Sequence, residues 1–175
     1  MTKRLSILLL FMVWCMGCQS TPTTEHDILG VWQIKQIELK SKTDFSINEN
    51  PLPSQTIFTH SHYSLVWIPG TDGMRRFQKQ WFPTDAEKIQ RYDEIVVNAG
   101  TYTKTDSIII LKPAISRVPE FMGGGKLLYE YHIKEDTLWL TAIDEYSYDG
   151  VQAPWAAVGN RISLKMVRME ELFLK

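Results

Sequence analysis

Three groups of residues in this 175-residue chain have types and spacings that bear on chemistry. His60 and His62 are two apart, so a strand would point both the same way, as two ligands of one metal ion require. No third ligand is evident: His26 lies far upstream and His132 on a different segment. Surface or loop histidines are therefore the expectation, with no metal. Gly123-Gly124-Gly125-Lys126 fails as a phosphate-binding loop. Leu127 stands where Ser or Thr must follow the lysine, Glu120 stands at the first glycine position, and a strand pattern follows instead of a helix. Asp144, Glu145 and Asp149 gather in the segment 144–160, DEYSYDGVQAPWAAVGN. Acid–base work needs such paired carboxylates, but a solvated acidic loop is the expected outcome. The chain has no Gly-x-Ser-x-Gly, no His-Glu-x-x-His and no cysteine after Cys18. No catalytic residue and no cofactor is assigned, and the chain is not expected to be an enzyme.

Aromatic residues offer a different chemistry, the burial of an apolar ligand. Trp67, Trp81, Tyr129, Tyr131 and Trp139 fall in strand-like segments or beside them and could line a cavity. Trp155 and Tyr146 lie at the long segment 144–160, where they would cover a mouth or pack the loop down. In a small barrel, alternating aromatics serve equally well as core filling, and the sequence leaves both readings open.

The elements that must position these residues are mostly strands. Residues 28–39, ILGVWQIKQIEL, open the series. Trp32 and Ile34 share one face, then Ile37 and Leu39 fall out of phase, which predicts a β-bulge and a bend near Lys35-Gln36. Further strands are predicted over 55–60, 62–68, 100–105, 107–112, 126–134, 137–143 and 161–169. Residues 126–134, KLLYEYHIK, alternate cleanly, and Glu135-Asp136 is a tight turn into the next strand, as Thr105-Asp106 is earlier. One helix is predicted. Thr84-Asp85-Ala86-Glu87 is a capping box; Ile89, Tyr92 and Val96 lie near one face, and the end falls near Asn98–Gly100. Eight strands joined by short turns imply antiparallel neighbours and an up-and-down barrel wide enough for side chains or one small ligand. A β-sandwich is the alternative. The three glycines would allow a bend or bulge at the barrel rim.

The N-terminus places this domain. Lys3 and Arg4 precede the apolar run Leu5–Trp14, too short to span a bilayer and of the length of a signal-peptide core. Cys15-Met16-Gly17-Cys18 follows, with small Gly17 before the cysteine. This resembles the bacterial lipobox, although Cys15 and Met16 stand where that motif prefers Leu and a small residue. The resemblance implies cleavage of residues 1–17, lipidation of Cys18, and membrane attachment by acyl chains. Residues 18–27 are polar and carry Pro22, as a flexible tether does. Gln19 follows Cys18 instead of Asp, which implies the outer membrane, facing the periplasm. Loss of Lys3 and Arg4 makes the formal charge of −1 more negative by two. With no run of Lys or Arg, nucleic-acid partners are excluded. No disulfide can form within the mature domain, since both cysteines lie at or before the cleavage point.

Gly30-Val31-Trp32 at the start of the first strand resembles the lipocalin signature, and Leu29–Ile34 is similar to the opening of bacterial lipocalin-like domains. Ala99-Gly100-Thr101-Tyr102, the strand after it, Pro119, the bend at 123–125 and KLLYEYHIKEDTLWLTA follow the order of those domains. The resemblance covers most of residues 28–169 and implies a lipocalin-like barrel over 28–171. It implies that Gly30, Trp32 and Arg168 close the narrow end, with Arg168 packed across Trp32. The mid-chain helix departs from lipocalins, whose helix follows the last barrel strand. The function so implied is binding or carrying a small apolar or amphipathic ligand, with Trp67, Tyr129, Tyr131, Trp139 and Trp155 as candidate ligand contacts. A structural or protein-interaction lipoprotein with a filled core is the alternative, and an enzyme acting on a lipid-like substrate ranks behind both.

Overall fold

A computed structural model describes residues 27–70 and 76–169. The expected signal segment 1–17, Cys18, the expected tether as far as His26 and the last residues of the expected domain lie outside the described residues.

The described residues form nine strands: β1 (Gly30–Lys40), β2 (Phe45–Asn48), β3 (Gln55–Phe58), β4 (His62–Trp67), β5 (Val96–Lys104), β6 (Ile108–Ser116), β7 (Lys126–Lys134), β8 (Thr137–Tyr146) and β9 (Arg161–Arg168). Helix α1 (Asp85–Asp93) precedes β5, and the short helix α2 (Pro154–Ala157) lies between β8 and β9. All neighbours are antiparallel, and β1 pairs with β9 as well as with β3, so eight strands close into a barrel. That closure rules out the sandwich. β2 is the extra strand, laid on the far half of β1 from Ile37 to Lys40.

The bulge in β1 falls at Lys35, where pairing with β9 skips from Ile34 to Gln36. The skip restores the phase, so Trp32, Ile34 and Ile37 are all buried. They join one hydrophobic cluster running from Ile28 to Met166, with Leu65, Ile109, Leu111, Leu127, Leu138 and Leu140 among its members. Residues 19–175 contain every member of that cluster and so retain the whole core.

Several boundaries differ from expectation. Helix α1 stops at Asp93, not near residues 98–100. Val96 and Val97 instead pair with Trp67 and Val66, as β-branched residues favour, so β5 starts earlier than expected. The Thr84–Glu87 capping box is present, but α1 has no buried residue. Ile89 and Tyr92 are exposed, and the helix is held at its end by Tyr92, whose hydroxyl donates to the Arg117 carbonyl at 2.6 Å. β6 runs on to Ser116 and β8 to Tyr146.

The two ends of the barrel are unlike. At one, tight turns join β3 to β4, β5 to β6 and β7 to β8. At the other lie the connections 41–54, 68–95, 117–125 and 147–160. In the third, Gly123 and Gly124 have φ of +81° and +143°, and a Cβ on Gly125 would lie 2.6 Å from the Phe121 Cα. The run therefore turns the chain into β7 where side chains would clash.

Candidate ligand site in the loop-bearing half of the barrel

The turn end is sealed. Trp32 is fully buried, and its indole N–H donates to the Ile28 carbonyl at 2.7 Å. Arg168, paired with Trp32 across β1 and β9, lies over the ring with its Cζ 4.2 Å from the centroid. The guanidinium also donates to the Leu29 carbonyl, to the Asp27 carbonyl at 2.9 Å and to the Asp136 carboxylate at 3.3 Å. Gly30 makes room for it: a Cβ there would sit 2.7 Å from Arg168 Nη1, and φ is +126°. Gly30, Trp32 and Arg168 thus come together at one pole. Tyr131 belongs to the same half, its hydroxyl donating to the Thr105 carbonyl in the β5–β6 turn at 2.8 Å.

The barrel interior is not wholly apolar, because polar side chains also face inward. Direct cross-strand partners point to the same face of a sheet. Thr56 pairs with Trp32, Asn98 pairs with Leu65, and all four are buried. Tyr63 alternates with Leu65 and Trp67 on β4 and is likewise buried. Thr56, Tyr63 and Asn98 are 0%, 4% and 5% exposed, yet Thr56 Oγ1, the Tyr63 hydroxyl and Asn98 Oδ1 have no hydrogen-bond partner among the described residues. An unpaired buried polar atom costs about 1–3 kcal/mol, so three in one barrel interior mark a place suited to a partner.

Glu145 completes the set. Pairing of β7 with β8 skips Ile143, and beyond that bulge Glu145 pairs with inward-facing Leu127. The carboxylate accepts the Trp155 indole N–H at 2.9 Å, and Trp155 packs against the core from α2. Burial pushes the Glu145 carboxyl above its ordinary range, and Asp144 adds to the push against the Trp155 hydrogen bond. Tyr129 stands deeper, and burial together with the Glu145 and Tyr63 groups raises its hydroxyl. Asp144 faces outward and behaves oppositely. Burial raises it, but hydrogen bonds from Tyr146, Gln152 and the Glu145 amide, aided by Arg161, hold it below its ordinary range.

At the lip, Leu39, Trp155 and Ile162 line a pocket of about 240 Å³ with Lys40, Asp44 and Arg161 around it. Trp155 is the wall this pocket shares with the Glu145 carboxylate.

The expected ligand contacts therefore separate. Trp67, Tyr129 and Trp155 lie in or toward the loop-bearing half, while Tyr131 lies at the sealed pole. Trp139 does not face the interior: it is opposite His132 on the outer face, ring centroids 4.3 Å apart, while Leu138 and Leu140 point in. Trp81 is 80% exposed in the connection before α1. His62 is exposed at the start of β4, its Nδ1 2.8 Å from Ser61 Oγ, and His60 is exposed in the turn before it. Among the described residues no three His, Cys, Asp or Glu side chains are grouped to hold a metal. Asp144 and Glu145 are strand residues, contrary to the expectation of a solvated loop; Asp149 alone remains in an exposed connection. Thr56, Tyr63 and Asn98 carried no signal in the sequence beyond their place on inward positions.

Closed strand order, one sealed pole and loops gathered at the other define a lipocalin-like barrel. No family model matches the chain, and no curated protein matches it.

Proposed function

We propose that the protein is a lipid-anchored envelope lipoprotein whose barrel takes up a small amphipathic molecule through its loop-bearing end. The observation that carries the reading is the set of buried, unpartnered polar atoms on Thr56, Tyr63 and Asn98 among aromatic and aliphatic walls. An apolar pocket with a few convergent polar groups is the usual make-up of a small-molecule site. The lipid on Cys18 supplies the location, the outer membrane facing the periplasm. Asp27, where the tether meets the domain, lies at the sealed pole under Arg168, so an anchor on Cys18 leaves the opposite, loop-bearing end directed away from its attachment. A flexible tether of nine residues would reach roughly 15–20 Å, enough to keep the domain near the surface without a membrane-binding face of its own.

Native mass spectrometry of residues 19–175 after incubation with envelope lipid extract tests this. Retained lipid of one stoichiometry is the expected result, and a bare domain at every lipid concentration overturns it. A homologous series of n-alkanols adds the energetics: each buried CH₂ contributes about 0.8 kcal/mol, or about fourfold in affinity.

A second reading, an interaction lipoprotein, has its own support. Exposed apolar side chains gather on the loop-bearing connections, including Phe45, Trp81, Phe82, Tyr148 and Val151. Such grouping marks interaction surfaces. A stoichiometric protein partner in place of lipid would favour it.

A further inference from the structure

The charges on the inner wall restrict what the ligand's polar end can be. On the strand register, inward positions among the described residues carry two cations, both at the sealed pole: Arg168, engaged by Trp32, Leu29, Asp27 and Asp136, and Lys104, which pairs with Ile109 and lies 3.6 Å from the Asp27 carboxylate. Among the described residues the loop-bearing half carries one inward acid, Glu145, and the hydrogen bond it accepts comes from a neutral indole N–H. Tyr129 lies close to Glu145 and to the unpartnered Tyr63 hydroxyl. The nearby cations are at the lip. Arg161 lies beside Asp144 and donates to the Asn160 carbonyl at 2.8 Å, and Lys40 lines the outer pocket.

A carboxylate ligand entering this half would meet an acid and acceptor oxygens without an inward cation, a like-charge approach in a poorly solvated space. An ammonium group would meet a carboxylate that has no cationic partner, plus acceptors suited to its three N–H donors. We propose that the molecule bound in the barrel carries a protonated amine at its polar end, received by Glu145, with its alkyl part against Trp67 and the aliphatic core. This rests on the proposed uptake of an amphiphile, and the test separates the two.

Residues 19–175 are titrated at pH 7.5 with dodecylamine, dodecanol and dodecanoate, each below its micelle concentration, and binding is read by calorimetry. The amine is expected to bind at least about tenfold more tightly than the carboxylate, with the alcohol between them. In Glu145→Gln the amine should lose its advantage over the alcohol. Dodecanoate binding as tightly as the amine overturns the proposal, as does an amine preference that survives Glu145→Gln. Binding of the alcohol with no amine preference sinks this proposal and leaves uptake standing; failure of all three probes sinks both. The ranking in the unsubstituted domain needs no variant, so it decides the matter even if Glu145→Gln does not fold.

Discussion

Arg168 lies over the indole of Trp32, 4.2 Å from guanidinium carbon to ring centroid, and the two residues are direct partners on the strands that close the barrel. One side chain thereby joins the last strand to the first and ties down the backbone at Asp27 and Leu29. Arg168→Ala removes a cation–π contact and charge-assisted hydrogen bonds to partly buried carbonyls. A loss of about 2–3 kcal/mol is expected in urea denaturation of residues 19–175. Arg168→Lys should recover less than half of it, because an ammonium lacks the planar fork that reaches both carbonyls.

Gly30 and Arg168 should be coupled. An added Cβ at Gly30 both strains the backbone at φ +126° and meets Arg168 Nη1 at 2.7 Å. Gly30→Ala is expected to cost about 1–3 kcal/mol alone. In the double variant with Arg168→Ala the costs should sum to less than the two singles, because the clash is gone. Simple additivity in that cycle would separate the two residues.

Asp144 and Glu145 are sequence neighbours with opposite titration. The folded-state Glu145 carboxyl is raised by burial, so it holds its proton more tightly folded than unfolded. Its contribution to stability is present below the ordinary glutamate range and is lost as pH rises through the raised folded value. Asp144 is lowered on balance, so its contribution is present above the ordinary aspartate range and is lost as pH falls through the folded value. Thermal melts from pH 4 to 8 should show Glu145→Gln flattening the loss on the neutral side. Asp144→Asn should weaken the protein at neutral pH and lessen its acid sensitivity.

The inner and outer aromatic faces give a paired prediction. Trp67→Phe should weaken dodecanol binding about fivefold through lost apolar contact. Trp139→Phe, on the outer face against His132, should leave binding unchanged. An equal loss in both would show that the ligand does not sit inside.

Anchoring is tested at Cys18. The mature chain should begin at that cysteine with a mass increase of several acyl groups, and Cys18→Ser should move it from the membrane to the soluble fraction. An unmodified Cys18 contradicts the lipoprotein reading.

The barrel was legible because its signals are periodic. The one-residue slip between Ile34 and Ile37 appears in the structure as a bulge at Lys35, and clean alternation in 126–134 matches β7. β2 was not legible. Its four residues, FSIN, are too few to show a period, and it exists through pairing with the far half of β1. Trp139 could have been placed outward from the alternation of Leu138, Leu140 and Ala142 around it. Glu145 could not have been placed inward. Uninterrupted alternation would put Asp144 inside, and only the bulge at Ile143 exchanges the two carboxylates. The unpartnered atoms of Thr56, Tyr63 and Asn98 are a property of three-dimensional packing with no local sequence signature.

Indole N–H resonances measure the central claim most directly. In ¹⁵N-labelled residues 19–175 titrated with dodecanol, the signals of Trp67 and Trp155 should shift in a saturable way. Those of Trp32, sealed under Arg168, and Trp139, on the outer wall, should stay in place. Shifts confined to Trp139 or the exposed Trp81, or no shift at any indole, would contradict binding within the loop-bearing half of the barrel.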